Sequence, residues 1–138
     1  MIPSPSTQQR RRSTAKRQVV LDVLSSGKNF RSAQHLYLEV HQHTRARIAL
    51  TTVYRILHTL AEEGIAETQR AEDGETLYRL RTGSEHCHYL LCRRCGDAVP
   101  FTPTALEKHT EQLTQQHRYA DVAHHVDLYG TCPACLDG

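Results

Sequence analysis

Apolar residues recur at helical spacing three times in the first half of the chain and then give way to short alternating runs. Between Thr14 and Leu24 they fall at Val19, Val20, Val23 and Leu24, and Ser25, Ser26 and Gly27 follow as a stop. Ser32 is placed to cap a second helix, in which Ala33, Leu36, Tyr37 and Val40 form an apolar stripe ending near Gln42. A polar stretch through Arg47 leads to a third helix, where Thr51 or Thr52 can cap and Val53, Ile56, Leu57 and Leu60 repeat at helical spacing up to Gly64. The period then shortens: Ile65 to Arg70 and Glu75 to Leu80 read as strands joined around Asp73-Gly74, a hairpin signal. Three helices followed by a hairpin make a winged helix-turn-helix.

The stretch from Thr82 to Glu85 has the small and polar residues of a hinge. Beyond it, Cys87 to Leu91 and Ala98 to Phe101 read as strands around a Cys-x-x-Cys turn. Thr104 can cap a helix through about His117 with Leu106, His109 and Leu113 turned inward, and Asp121 to Tyr129 alternates as a strand before Gly130 leads into a second Cys-x-x-Cys. The expected fold is α+β: a basic disordered arm over 1–13, a winged-helix domain over 14–81, a hinge over 82–85, and a C-terminal α/β domain over 86–138.

Length allows this division, since 138 residues suffice for two modest cores. No apolar run approaches the roughly 20 residues that span a bilayer, and the Met1 to Ser13 segment has no apolar core of a secretory signal, so the chain is expected in the cytoplasm without a membrane partner. The net charge of +2 says little. Its distribution says more: Arg10, Arg11, Arg12, Lys16 and Arg17 crowd the N-terminus, whereas acidic residues are commoner from Glu62 onward. Such a basic end suits DNA phosphates, the alternative being a solvated tail. Of the five cysteines, four form the pairs Cys92-x-x-Cys95 and Cys132-x-x-Cys135, which in a chain without a secretory signal indicates metal and not disulfide.

Two such turns can close a tetrahedral sulfur shell around one Zn2+, with Gly96 and Pro133 suiting tight knuckles. A shell of four thiolates leaves no open position, so this zinc is structural. A second constellation is softer. His86 and His88 share a strand face while Cys87 points away, and Glu107 and His124 would complete a nitrogen and oxygen shell fit for Zn2+ or another divalent metal. The bland alternative is a set of unrelated surface and core histidines, of which the chain has ten. On the third helix, burying Val53, Ile56, Leu57 and Leu60 leaves Thr51, Thr52, Tyr54 and Arg55 exposed where a recognition helix meets DNA; otherwise Thr51 merely caps and Arg55 is solvated.

Phe30-Arg31-Ser32-Ala33-Gln34, Leu50-Thr51-Thr52-Val53-Tyr54-Arg55, Gly74-Glu75-x-x-Tyr78-Arg79, His86-x-His88, Cys92-x-x-Cys95-Gly96 and Gly130-Thr131-Cys132-x-x-Cys135 occur in this order. In these motifs the chain resembles the ferric uptake regulator family of metalloregulators, and its wording is most similar to the zinc uptake branch of actinobacterial type. The resemblance runs from Thr14 to near the C-terminus. It implies that 86–138 is a dimerisation and metal-binding domain, and that the protein is a homodimer that binds palindromic operator DNA when loaded with metal and represses uptake genes. It also implies that His86, His88, Glu107 and His124 form one regulatory site, and that Arg17, Thr51, Thr52, Tyr54 and Arg55 serve DNA binding. A further sensing site of that branch falls here on Glu67, Arg81, Cys87 and Tyr89. Only Glu67 and Cys87 of these could ligate, and Arg81 brings a fixed positive charge, so the resemblance implies a degenerate site at that place.

Other functions compete with this one. Iron, manganese, nickel or peroxide sensing suits the same mixed shell. A zinc hydrolase could use three of its ligands and a water, but no separate general base stands out and little chain remains for a substrate pocket. A plain zinc-ribbon interaction module would leave the three helices and the wing without a role.

Overall fold

In the computed structural model, the apolar stripes of three helices meet in one core: Val20 and Leu24 of the first, Leu36 and Val40 of the second, and Val53, Leu57 and Leu60 of the third are all essentially inaccessible to solvent. The structure describes residues 7–83 and 87–138, which fall into two units dividing between Gly83 and Ser84. In the first unit the order is α1 (Thr7–Ser25), β1 (Arg31–Ser32), α2 (Ala33–His43), α3 (Leu50–Glu62), β2 (Ala66–Arg70) and β3 (Thr76–Leu80). The sheet order is β1-β3-β2, all antiparallel, and Ala66 and Tyr78 lower the wing onto the helical core.

Local chemistry explains most boundaries. Ser32 caps α2 by accepting from the His35 amide. Gly64 at φ 78° ends α3 in the left-handed conformation that glycine adopts without strain. Arg31 is only 8% exposed, and its guanidinium donates to the carbonyls of Val23 and Leu24 at the end of α1 while pairing with Glu39 of α2. It thus satisfies helix-end carbonyls that have no intrahelical partner.

The second unit runs β4 (His88–Cys92), β5 (Ala98–Phe101), α4 (Thr104–His117), β6 (Asp127–Gly130) and α5 (Pro133–Asp137), with β4 central in the order β5-β4-β6. The β4–β5 pair is antiparallel. The β4–β6 pair is parallel and sets Cys92 opposite Gly130. No described helix is long and apolar enough to cross a membrane.

Several expectations are corrected. Residues 7–13, expected in a disordered arm, belong to α1; they contain no Gly or Pro and are rich in Gln and Arg, which favour helix, but they lack an apolar stripe to betray it. Neither Thr51 nor Thr52 caps α3, whose cap is Ala49, and Pro103 precedes α4 in place of Thr104. On α4, Leu106 and Leu113 stand 41% and 49% exposed and His109 is exposed too, because no described element of the unit buries the face that carries them. The expected strand from Asp121 shrinks to Asp127–Gly130: Asp121 takes a positive φ of 56°, which breaks extended backbone, and only the later residues reach β4. The β1 and α5 segments carry no periodicity that the pattern could reveal. Met1 to Ser6 of the arm, and Ser84 and Glu85 of the hinge, lie outside the described residues.

Replacing Arg31 by Met is expected to lower the unfolding free energy by about 2 kcal/mol, since it takes the guanidinium from the Leu24 and Val23 carbonyls and from the mostly buried Glu39 carboxylate, although Ser26 still donates to Val23 and His35 still pairs with Glu39. Urea unfolding of the full chain followed by helical circular dichroism measures this, and a loss under about 1 kcal/mol would show that the pair carries no such weight.

Candidate metal centres and nucleic-acid interface

The parallel register of β4 and β6 places the first cysteine knuckle against the second. Cys92 ends β4, and opposite it Gly130 leads through Thr131 to Cys132 at the start of α5. The first knuckle is folded tightly: the Gly96 amide donates to the Cys92 carbonyl at 3.1 Å and the Cys92 amide to the Asp97 carbonyl at 2.8 Å. Gly96 at φ 80° permits that turn.

The sulfurs of Cys92 and Cys135 lie 3.8 Å apart and those of Cys95 and Cys132 3.7 Å apart. A disulfide would need about 2.05 Å. Four sulfurs each about 2.3 Å from one tetrahedral ion stand about 3.8 Å from one another, so the spacing has the size of a zinc shell. Amides of Cys95 and Cys132 aimed at its sulfur pull the Cys92 thiol down to about 6. Cys135 is held up to about 12, first by hydrogen bonding with the Cys132 thiol and then by burial. One thiolate is therefore easy to form and four together are not; a divalent cation is what would allow all four to ionise.

The second group sits at the other end of β4. His88, its first residue and only 7% exposed, donates from Nε2 to Glu107 Oε1 at 2.9 Å, and His124 Nε2 donates to the same oxygen at 3.0 Å. Hydrogen bonds from His88 and then His124 hold the Glu107 carboxyl below its ordinary range. Strand, helix and loop thus each supply one donor, all within 4.8 Å of one another. These nitrogen and oxygen donors could hold a borderline divalent ion. His86, expected to join them, lies outside the described residues.

The residues of the expected degenerate site fall in both units, and each is described within its own. Glu67 pairs with Arg79, whose guanidinium also lies 4.3 Å from the centre of the Phe30 ring, and Arg81 donates from Nε to the Gly64 carbonyl at 3.0 Å. Cys87 is half-buried in the second unit, and Tyr89 is buried and cannot serve as a histidine would.

On α3, Thr51, Tyr54 and Arg55 are exposed on the first turns and Thr52 is half-buried. Arg10, Arg11, Arg12 and Lys16 are exposed on α1. Arg17 is also on α1, but its guanidinium is engaged by Glu63 beyond the end of α3, at 2.6 Å. Sequence pattern could not foresee this partner, because an ion pair between distant helices follows no local period.

The family described as Ferric uptake regulator family matches residues 8–129. The Zinc uptake regulation protein of Mycobacterium tuberculosis is 36% identical over 124 residues, covering 90% of this chain and 94% of that protein. A Ferric uptake regulation protein of Neisseria meningitidis is 27% identical over 123 residues, covering 88% and 84%. Among solved structures, FurB from M. tuberculosis, a zinc uptake regulator, aligns with a TM-score of 0.55 at 34% identity over 94% of this chain and 99% of that one. The Vibrio cholerae ferric uptake regulator aligns with a TM-score of 0.62 at 28% identity over 84% and 88%.

Replacing Cys92 or Cys132 by Ser is expected to abolish tight metal retention and unfold the second unit, while the helical signal of α1 to α3 persists on its own core. Metal content after dialysis, with hydrogen exchange on both units, tests this. A Cys92→Ser protein that is metal-free and still protected in β4 to β6 would contradict it.

Proposed function

The chain belongs to the ferric uptake regulator family, a family of metal-responsive transcription regulators and not of enzymes, and we propose that it is a zinc-responsive repressor acting in the cytoplasm as a homodimer on palindromic operator DNA of metal uptake genes. The observation that carries the proposal is the presence, in one small unit, of a closed four-sulfur cluster and a separate nitrogen and oxygen cluster. The first suits a structural zinc and the second an exchangeable, regulatory one. Zinc is favoured as the signal by the likeness to the M. tuberculosis zinc uptake regulation protein. The likeness to ferric uptake regulators, and a shell that iron, manganese or nickel also accept, make those ions the alternatives to be tested.

In this proposal 14–81 is the DNA-binding domain, with Thr51, Thr52, Tyr54 and Arg55 facing the groove and Arg17 near the phosphates. The basic face of α1 adds sequence-independent affinity. The homodimer is supported by unpartnered apolar surface on the second unit: Val99, Leu90 and Leu128 stand in register across its three strands, all exposed, and Leu106 and Leu113 are exposed on α4.

The regulatory ion would be held by His88, Glu107 and His124 together with His86, which enters from its place in the sequence alone. Those residues follow the 82–85 hinge at one end and belong to the body of the second unit at the other. Holding them together would restrict how the DNA-binding domain leaves that body. Two winged helices must keep a fixed separation to engage a palindrome, so a protein that spends little time in that geometry binds with its affinity reduced by the same fraction. Metal would then raise DNA affinity, and DNA would raise metal affinity by an equal factor.

Two metal ions per chain are expected, one structural and one regulatory, because Glu67 and Arg81 are engaged within the first unit. Titration with buffered zinc, ferrous iron, manganese and nickel while following operator binding should show a single step and identify the metal. Three ions per chain with Glu67 and Cys87 as ligands would refute the count.

His124→Ala should remove metal-dependent DNA binding and retain the sulfur-bound ion; a His124→Ala protein still switched by metal would refute the mechanism. Arg55→Ala should weaken operator binding by about 1 to 3 kcal/mol with fold and metal content unchanged, and unaltered binding would place the DNA elsewhere.

A further inference from the structure

A cleft between α1 and α3 is lined by Ser13, Thr14, Arg17, Arg55, Ile56 and Thr59. Two arginines and the hydroxyls of Ser13 and Thr14 thus line a space open to solvent, a composition suited to an oxyanion, whereas the Thr59 hydroxyl donates to the Arg55 carbonyl at 3.0 Å. One arginine is already engaged: Arg17 presents both terminal nitrogens to the Glu63 carboxylate, at 2.6 Å and 3.4 Å. Arg55, Thr59 and Glu63 are each four residues apart, so they follow one line along α3, basic near its start and acidic past its end.

We propose that this cleft is a site for one backbone phosphate of duplex DNA, and that Glu63 occupies Arg17 as an internal stand-in for that phosphate, exchanged for it on binding. The inference rests on the DNA-binding reading of the first unit and adds a competing group to it.

Three arguments support the exchange. A carboxylate and a phosphate offer a guanidinium the same pair of oxygens, so Arg17 can pass from one to the other without changing its hydrogen-bond pattern. The side chains of Arg17 and Glu63 are 35% and 45% exposed, so the pair is held weakly and the released carboxylate has water at hand. Finally, the group that holds Arg17 is itself an anion at the edge of the surface proposed to meet a polyanion, where it serves binding only if Arg17 lets go of it. Glu63 is therefore a brake on sequence-independent affinity: it sets how tightly any duplex is held without choosing among sequences.

The test uses the metal-loaded full chain and a random-sequence duplex of about 30 base pairs, with binding measured from about 50 to 200 mM salt. Glu63→Gln should bind roughly 3 to 10 times tighter at the lower salt, and its salt dependence should steepen by about 0.9 in the log–log slope, the value for one more neutralised phosphate. The same substitution in an Arg17→Ala background should change nothing. Glu62→Gln, which removes an equal charge one residue away from a carboxylate paired with His58, should change binding less than about 2-fold. A gain that persists without Arg17, or that Glu62→Gln reproduces, would show general charge repulsion and overturn the exchange. Weaker binding by Glu63→Gln would show that Glu63 positions Arg17 and would overturn it too. Wild type that binds with an unchanged Glu63→Gln overturns this inference alone; wild type that binds no duplex overturns the DNA-binding reading with it. Thermal unfolding of each variant confirms that folded proteins are compared.

Discussion

The second unit depends on bringing four sulfurs together, because it has little else to hold it. Among its described residues only Tyr89, Leu91 and Cys92 are buried apolar groups, and α4 buries none of its side chains. A unit this small cannot offset its chain entropy with such a core, and small domains in that position rely on a metal, disulfides or association. Here the sulfur spacing excludes disulfides. The remaining devices would be an ion that closes 92–95 onto 132–135 and, in the proposed homodimer, a second copy that covers the exposed leucines. Each would make up what the other leaves short, so metal content and oligomeric state are expected to be linked in this half of the molecule.

The same constraint organises the softer cluster. Strand β4 carries His88 at its first residue and Cys92 at its last, about 13 Å away along an extended chain. Its parallel partner β6 begins shortly after His124 and runs into Cys132. A shift in the register of this pair would displace donors at both ends at once. The closed sulfur cluster therefore positions the open one: closing the knuckles holds β4 against β6, and that pairing brings the loop bearing His124 to within reach of His88 and Glu107. A structural centre and an exchangeable centre can share five residues of strand because their donors differ in softness as well as in place.

Much of this was legible in the sequence, for identifiable reasons. The stripes at Val20 and Leu24, Leu36 and Val40, and Val53, Leu57 and Leu60 are periodic and fully buried, and periodic burial is what a pattern reports. The cysteines were legible through the short pairing within each turn, and His88, Glu107 and His124 through their donor chemistry, the strand spacing of His88 from His86 and the family resemblance, since no local period links strand, helix and loop. What escaped has a common cause. The helical state of 7–13 needs no apolar contact, the exposure of Leu106 and Leu113 is decided by what does not pack on them, and the partners of Arg17 and Arg31 come from other helices. Alternation at Asp121 to Tyr129 misled because a run of alternating residues becomes a strand only where a neighbour offers hydrogen bonds, and β4 offers them only from Asp127 onward.

The contrast between the two units bears on how a metal signal could be transmitted. The first unit has a continuous core of its own, with Arg31 tying α1 to α2 from within, so its fold does not wait on an ion held by the second. In the proposed function, losing the regulatory metal would thus leave the first unit folded, and regulation would act on something other than the shape of α3. In that proposal it would act instead on the freedom of one folded unit with respect to the other. That separation of roles would be thermodynamically economical: the coupling required of an effector is only about 1 to 3 kcal/mol, far below the cost of unfolding a domain.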